Sequence, residues 1–245
     1  TLEFENVTFV YPDGEEPVIK NVSFSAKKGE TIAFIGSTGS GKSTLINLIP
    51  RFYDVTEGSI RIDGIDVRKF NLKALRKKIG FIRQKNLLFT GTIKSNIKFG
   101  KPHATHDEVE HSARIAQAYD FITNKEKGFD EPISEGGSNV SGGQKQRLSI
   151  ARALVRKPEI YIFDDSFSAL DFKTDAILRK ALKKETTDAI VLIVAQRIGS
   201  IMDADKIIVL DEGKVVGVGK HKELLKTCSV YHEIALSQLT EEELA

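Results

Sequence analysis

Glycine, lysine and hydroxyl side chains are concentrated in the segment GSTGSGKST, residues 36–44. The segment fits the spacing G-x-x-x-x-G-K-[ST], in which glycines let successive backbone N–H groups turn towards phosphate oxygens. A lysine ammonium there neutralises phosphate charge, and a serine hydroxyl is suited to Mg²⁺. A chance match is the alternative, but an apolar run precedes the segment and a helical pattern follows it, as in a phosphate-binding loop. The predicted nucleotide contacts are Gly36, Ser37, Thr38, Gly39, Ser40, Gly41, Lys42, Ser43 and Thr44.

Two adjacent carboxylates, Asp164 and Asp165, end the apolar run IYIF. A carboxylate at the end of such a strand can hold a metal ion through its water shell. The alternative is that Asp165 or Ser166 caps the next helix, because Asp and Ser favour that position without any ligand. The pair by itself does not decide between the two interpretations.

A second candidate anion site is SGGQ, which is Ser141, Gly142, Gly143 and Gln144 at the start of a helical pattern. A serine hydroxyl and glycine N–H groups at a helix N-terminus can bind an anion. The same residues could also be a helix cap with no ligand.

Taken together, these segments resemble the ABC ATPases, whose signature motif is most often LSGGQ and here begins with Val140. The resemblance covers nearly the whole chain, and it implies ATP and Mg²⁺ as cofactors. It also implies that Tyr11 stacks on adenine and that Gln84 senses the metal and the attacking water. The implied metal contacts are Ser43, Gln84 and Asp164. In the same family the segment SALD, residues 168–171, crosses between subunits, and Glu135 lies in a segment that faces the membrane domain.

The segments RFYDVTEGSIRIDGIDV and LLFTGTIKSNI are closer to the exporter branch than to importers or soluble ABC proteins. In that branch the ATPase domain usually follows six membrane-spanning helices in the same chain. Because this sequence begins at Thr1 without a methionine, we interpret it as a C-terminal nucleotide-binding domain cut from a transporter. The expected location is the cytoplasmic face of the plasma membrane, with the isolated domain soluble.

Two positions depart from the family pattern where water should attack the γ-phosphate. Asp165 stands in place of the usual glutamate, which retracts the carboxylate by about 1 Å, and a misplacement of that size can cost about 10²-fold in rate. Gln196 replaces the family's histidine and cannot carry a positive charge. We predict that Asp165, Gln196 and Gln84 form a catalytic group that hydrolyses ATP slowly. No histidine can substitute in the motif, since His103, His106, His111, His221 and His232 all lie elsewhere.

In the ABC family two such domains associate head to tail, so that each ATP lies between the phosphate-binding loop of one and the signature of the other. This chain would then contribute an impaired loop side to one site and an intact SGGQ to its partner's site, which predicts a heterodimer. One alternative is a nucleotide-binding pseudoenzyme or regulatory subunit. Another is a soluble ABC protein of translation or DNA repair, but neither a tandem cassette nor a long coiled-coil insertion is present.

The elements that must hold these residues can be predicted from apolar patterns. LEFENVTFVY and VIKNVSFSA are typical of antiparallel strands, whereas TIAFIG, EIYIFDDS and AIVLIVAQ are typical of buried parallel strands, the last two each followed by a helical pattern. Residues 84–158 have apolar positions at helical spacing, as in THDEVEHSARIAQAYDFI. We predict an α/β P-loop NTPase (RecA-like) core at 1–83 and 159–245, with an N-terminal antiparallel β-subdomain and an inserted α-helical subdomain at 84–158.

Bulk composition sets limits on this interpretation. The chain has 245 residues, 40% hydrophobic and 29% charged, with a net charge of +2. Lysine and arginine alternate with acidic residues, so a nucleic-acid partner is not implied. The single cysteine, Cys228, cannot form an internal disulfide and fits a reducing compartment. The longest apolar run, residues 189–195, is far shorter than the roughly 20 residues of a membrane-spanning helix.

Overall fold

The computed structural model describes residues 1–240. Its N-terminal part contains a four-stranded antiparallel sheet in the order β2-β1-β4-β5. Strand β1 buries Leu2, Phe4, Val7 and Phe9 in the core, and an irregularity in its pairing between Phe4 and Val7 brings both halves of the strand onto the same face. The prediction of antiparallel strands in this region is confirmed. The strands are β1 Leu2–Phe9, β2 Ile19–Ala26, β4 Glu57–Ile62 and β5 Ile65–Asp66.

The central sheet has six strands in the order β12-β11-β3-β10-β9-β6. All neighbours are parallel except β12, which is antiparallel to β11. Because the parallel strands point the same way, the loops that follow β3, β6, β9 and β10 lie at one edge of the sheet, where ligands bind in this class of fold. The strands are β3 Thr31–Ile35, β6 Ile79–Ile82, β9 Ile160–Asp164, β10 Ile190–Val194, β11 Lys206–Asp211 and β12 Lys214–Gly219.

Helices cover the central sheet. The helices outside residues 84–158 are α1 Lys42–Asn47, α2 Leu72–Lys77, α7 Phe172–Glu185, α8 His221–Thr227 and α9 Ser229–Leu236, with 3-10 turns at Val67–Lys69 and Ile198–Ser200. Strand β9 is followed by an α-helix as predicted. The predicted helical pattern after β10 is wrong. Only the 3-10 turn Ile198–Ser200 lies between the end of β10 at Val194 and the start of β11.

Residues 84–158 contain four α-helices and only two very short strands. These are α3 Ile93–Lys98, α4 His106–Ile115, α5 Tyr119–Thr123 and α6 Gly142–Leu154, with 3-10 turns at Gly128–Asp130 and Glu135–Gly137 and a β7–β8 pair formed by Gly91–Thr92 and Pro132–Ile133. The pattern THDEVEHSARIAQAYDFI forms two helices, α4 and α5. Gln117 separates them with a φ of 57°, which a right-handed helix does not contain. No helix within residues 1–240 is long and apolar enough to span a bilayer.

The two faces of the central sheet bury separate apolar clusters. In β3, Ile32 and Phe34 pack towards the β-subdomain, whereas Ala33 and Ile35 pack towards the helices. The alternation follows from the period of two residues in a strand. Because both faces are packed, the end of β3 is fixed in position, and so is the loop that begins at Gly36.

Candidate active site

The loop between β3 and α1 has a backbone that favours glycine. Gly39 and Gly41 have φ values of 83° and 100°, in the left-handed region. A Cβ on Gly36 would lie 2.0 Å from the Leu210 carbonyl oxygen, so no larger residue fits there. Gly41 caps α1 without a side-chain hydrogen bond, which leaves the positive end of the helix directed at the loop.

Lys42 reaches back into this loop. Its Nζ donates hydrogen bonds to the carbonyl oxygens of Gly36 at 2.8 Å and Ser37 at 2.7 Å, and to Ser40 Oγ at 3.2 Å. Burial lowers the pKa of Lys42, and the charges of Asp165 and Asp164 oppose that shift. The loop thus encloses a cation held by weak neutral acceptors, an arrangement that fits a phosphate group because its oxygens are stronger, charged acceptors.

A hydroxyl and a carboxylate meet beside the loop. Ser43 Oγ donates to Asp164 Oδ1 at 2.9 Å, which joins the start of α1 to the end of β9. Burial raises the pKa of Asp164, while the Ser43 hydrogen bond and the Arg83 charge lower it. Hard oxygen donors of this kind, one of them anionic, fit Mg²⁺.

Asp165 accepts hydrogen bonds from two amide side chains at one oxygen atom. Gln84 Nε2 lies 2.8 Å and Gln196 Nε2 lies 3.0 Å from Asp165 Oδ2. Gln84 follows β6, Asp165 follows β9 and Gln196 follows β10, three neighbouring strands of the sheet. Burial raises the pKa of Asp165, the charge of Asp164 raises it further, and the Gln84 hydrogen bond lowers it. We call these three residues the amide–carboxylate cluster.

The interpretation of Asp165 or Ser166 as a helix cap is wrong. The next helix, α7, begins at Phe172, and Asp171 caps it by accepting from Thr174 N at 2.9 Å. Asp165 instead has a φ of 47°, a strained backbone for a residue with a side chain, and such strain is frequent at functional sites. Ser166 donates to the Ile82 carbonyl oxygen at 2.9 Å and so ties β9 to β6.

Tyr11 lies beside the glycine-rich loop. Its hydroxyl is 2.8 Å from Thr44 Oγ1, and its ring contacts Tyr53 with centroids 5.2 Å apart. Sequence reasoning missed Tyr53, which is 40% exposed. The aromatic segment RFYD was a possible signal for it, but only the fold brings that segment next to Tyr11.

The residues Ser141 to Gln144 begin helix α6. Ser141 Oγ accepts from Gln144 N at 3.2 Å and Gln144 Oε1 accepts from Ser141 N at 3.1 Å, which makes a capping box. A Cβ on Gly143 would lie 3.3 Å from the Ala169 carbonyl oxygen, so SGGQ lies against the SALD segment. Within residues 1–240, no hydrogen bond joins SGGQ to the glycine-rich loop of the same chain.

Arg197, which sequence reasoning also missed, connects two parts of the site. Its guanidinium donates to the carbonyl oxygens of Ser168 at 3.0 Å and Leu170 at 3.4 Å. The SALD segment is therefore held by the residue next to Gln196. An arginine beside a motif residue carries no specific signal in the sequence, because its target is decided by the fold.

Comparison with known proteins agrees with the predicted family. The model of the ABC transporter family matches residues 19–168. Two Staphylococcus aureus proteins named for multidrug export, ATP binding and permease function, from strains NCTC 8325 and COL, are 47% identical to this chain over 233 residues. The match covers 95% of this chain and 40% of each relative. The chain therefore spans less than half the length of these curated relatives.

A solved structure described as a bacterial Atm1-family ABC exporter with ATP bound has the same fold. It aligns with a TM-score of 0.93 and 36% identity, covering 98% of this chain and 42% of that chain. The predicted P-loop NTPase fold and the resemblance to the exporter branch are both confirmed. With the family model matching well over half of its residues, the chain belongs to the ABC transporter family.

Proposed function

We propose that this chain binds and hydrolyses ATP to power an ABC exporter, and that its own loop provides a slow site. The observation that carries the proposal is the meeting of three features at one sheet edge. These are a lysine enclosed by a glycine-rich loop, a hydroxyl–carboxylate pair and the amide–carboxylate cluster. They correspond to phosphate binding, metal binding and water activation, the three requirements of phosphoryl transfer to water.

The proposed binding roles follow from position. Lys42 exchanges its carbonyl acceptors for phosphate oxygens, and the glycine-rich loop contributes backbone N–H groups. Tyr11 stacks on the adenine, and Ser43, Gln84 and Asp164 hold the Mg²⁺ ion. When bound, Mg-ATP supplies a γ-phosphate with its charge partly neutralised. The nucleotide contacts of this chain are residues 36–44, Tyr11, Gln84 and Asp164, while Ser141, Gly142, Gly143 and Gln144 contact the partner's nucleotide.

The slow turnover has a geometric basis in the amide–carboxylate cluster. Asp165 Oδ2 accepts from both Gln84 and Gln196, so two neutral amides orient the carboxylate and leave Oδ1 to face the attacking water. Neither amide can accept a proton from that water and become cationic. Asp165 is also one methylene shorter than a glutamate, which places its carboxylate farther from the attacking water.

The proposed partner is a second ABC subunit that binds head to tail. SGGQ and SALD lie together, and SGGQ has no hydrogen bond to the chain's own loop among residues 1–240. Ser141 and Gly142 are exposed, so the nucleotide of a second chain can reach SGGQ. A partner with glutamate and histidine at the two altered positions would make one competent site, so we propose a heterodimer that holds one ATP and turns over the other.

The proposed second contact is with the transmembrane domains of the exporter. A groove of about 1190 Å³ lies between the core and residues 84–158. Exposed apolar side chains line it, with Leu87 70%, Phe99 64% and Phe89 47% exposed. Apolar side chains exposed together in one groove are a common feature of interaction surfaces. We propose that it binds cytoplasmic ends of the membrane helices, with Glu135 facing the same partner, at the cytoplasmic side of the plasma membrane.

The test restores both family residues. We expect D165E/Q196H to hydrolyse ATP about 10 to 100 times faster than the unaltered chain, because a carboxylate moved by about 1 Å and a cationic donor recover transition-state contacts. Steady-state phosphate release with Mg-ATP measures this. The matched control is D188E/Q117H, two changes of the same chemistry away from the site. Equal turnover by D165E/Q196H and the unaltered chain would overturn the slow-site proposal.

The alternative is a nucleotide-binding subunit with negligible hydrolysis. This alternative is favoured by the two hydrogen bonds that Asp165 Oδ2 already accepts from the Gln84 and Gln196 amides. Titration of the chain with fluorescent ATP and a turnover assay with and without the partner subunit separate the two functions. Binding without turnover in both assays would support the alternative.

A further inference from the structure

One glutamine near the end of the described chain bonds the backbone of the segment that carries Gln196. Gln238 Nε2 donates to the Gln196 carbonyl oxygen at 2.7 Å, and Ile198 N donates to Gln238 Oε1 at 2.8 Å. The two ends of one amide thus satisfy a carbonyl and an N–H two residues apart. We call residues 196–200 the switch segment and this pair of bonds the Gln238 clamp.

Buried neighbours hold Gln238 in place. Helix α9, which ends two residues before it, buries Tyr231 and Ala235 completely, and Leu239 packs on the same apolar cluster. The Tyr231 hydroxyl lies 2.7 Å from His221 Nδ1, which ties α9 to α8. The amide of Gln238 is therefore presented by a packed element, although its own side chain is exposed.

Apart from the Gln238 clamp, the end of the switch segment that carries Gln196 is held through the Arg197 side chain, which bonds the Ser168 and Leu170 carbonyl oxygens. The far end of the segment is fixed, because Ser200 Oγ donates to buried Asp175 Oδ2 of α7 at 2.9 Å and Ile198 is fully buried. At its near end, Gln196 forms no α-helix or strand, and its side chain must hold Asp165 Oδ2 at 3.0 Å. The direction of that side chain depends on the peptide planes at residues 196–198, and the Gln238 clamp fixes these planes.

We propose that Gln238 is a positioning residue that directs Gln196 at Asp165 and so couples the C-terminal helix α9 to the rate of ATP hydrolysis. This inference deepens the proposed function and rests on it. It predicts that Gln238 acts only through Gln196. Loss of the clamp lowers kcat while the KM for Mg-ATP stays constant, because residues 36–44, not the switch segment, hold the nucleotide.

The kinetic test uses Q238A, with S237A as the matched control. Ser237 Oγ donates to the Ile234 carbonyl oxygen within α9, so S237A removes a hydrogen bond from the same segment without touching the clamp. We expect kcat to fall about tenfold in Q238A, an intermediate value for a displaced group near the reacting atoms. KM should be unchanged in Q238A, and S237A should match the unaltered chain. An unchanged kcat, or a rise in KM with constant kcat, would overturn the proposal.

A double-mutant cycle separates positioning from general destabilisation. In a chain that already carries Q196A, we expect Q238A to have no further effect on kcat, since the group that it positions is gone. A merely structural role would give the same fold reduction with and without Q196A. Equal reductions in both backgrounds would therefore contradict the proposal.

Hydrogen exchange tests the clamp without any turnover. We expect the Ile198 amide to exchange at least tenfold faster in Q238A than in the unaltered chain and at the unaltered rate in S237A. If no ATP is hydrolysed by any variant while Ile198 exchange responds as expected, the proposed function fails and the clamp stands. If Ile198 exchange is the same in all three chains, the clamp itself is refuted.

Discussion

Two glycines of the glycine-rich loop, Gly36 and Gly39, differ in what a side chain would meet. A Cβ on Gly36 would lie 2.0 Å from the Leu210 carbonyl oxygen, whereas a Cβ on Gly39 has nothing within 4 Å. Gly39 has a φ of 83°, so its substitution costs only backbone strain of about 1 to 2 kcal/mol. The first glycine is required by packing and the second by conformation.

We expect G36A to lower the free energy of unfolding by at least about 2 kcal/mol more than G39A, because the methyl group displaces a strand backbone. Urea unfolding followed by circular dichroism measures both. Similar losses for the two variants would contradict the close approach of Gly36 to Leu210.

Asp165 is predicted to destabilise the folded chain at neutral pH. Burial in the folded chain raises the pKa of Asp165 above its unfolded value of about 3.9. The contribution of Asp165 to stability is therefore fully present below the unfolded pKa, and it is lost as the pH rises through the folded pKa. Without nucleotide and Mg²⁺, D165N should therefore unfold at a higher temperature than the unaltered chain at pH 7.5. The difference should shrink as the pH falls towards 4.

The control for this prediction is Asp171, whose pKa shifts in the opposite direction. Hydrogen bonds from Thr174 lower the pKa of Asp171, so its contribution is present above its unfolded pKa and is lost as pH falls through the folded value. We expect D171A to unfold at a lower temperature than the unaltered chain at pH 7.5. Thermal unfolding across this pH range checks the predictions for D165N and D171A. A D165N chain that is no more stable than the unaltered chain at pH 7.5 would refute the prediction for Asp165.

Two helices begin with the same capping box but have different proposed roles. Ser141 and Gln144 cap α6, and Thr105 and Glu108 cap α4 through reciprocal bonds of 3.2 and 2.9 Å. Removal of either hydroxyl should lower stability by about 1 kcal/mol. Only the α6 cap is proposed to contact a nucleotide.

We therefore expect S141A and T105A to lose similar stability while only S141A slows turnover in the assembled dimer. Chemical unfolding and phosphate release, measured on the same preparations, test this. If T105A slows turnover as much as S141A, then helix stability and not nucleotide contact explains the effect.

At the scale of the assembled molecule, we predict that two differently altered chains restore ATP hydrolysis when they form a mixed dimer. A variant with D165E, Q196H and S141A has a repaired loop side and a damaged signature. A dimer of two such variant chains has no intact signature. A dimer of two unaltered chains has no repaired loop side. Mixed pairs unite the repaired loop with an intact SGGQ.

The expected result is that an equal mixture hydrolyses ATP several-fold faster than the sum of the two chains measured apart. The rate should rise with total concentration, because association is required. The control mixes the unaltered chain with D165E/S141A/Q196A, which has no repaired switch residue. Strict additivity in the first mixture would rule out shared sites.

The sequence by itself determined the fold and the place of the glycine-rich loop in it. Residues 36–44 are contiguous, and their spacing specifies a backbone shape together with its charge, so a local pattern was sufficient. The same holds for SGGQ, whose cap forms within four residues. The apolar runs of β3, β9 and β10 indicated buried parallel strands because strands packed on both faces need continuous apolar residues.

The family resemblance predicts that Asp165, Gln84 and Gln196 act together, but only the tertiary structure decided which of their atoms meet. Asp165 accepts from Gln84 and Gln196, which follow different strands, and Gln238 reaches the switch segment from the far end of the chain. Such contacts depend on strand order and on the packing of α9, and neither leaves a local pattern in the sequence. The order of the strands is set by burial over the whole sheet, which is why the glycine-rich loop was predictable from the local sequence and the contacts made by Asp165 and Gln238 were not.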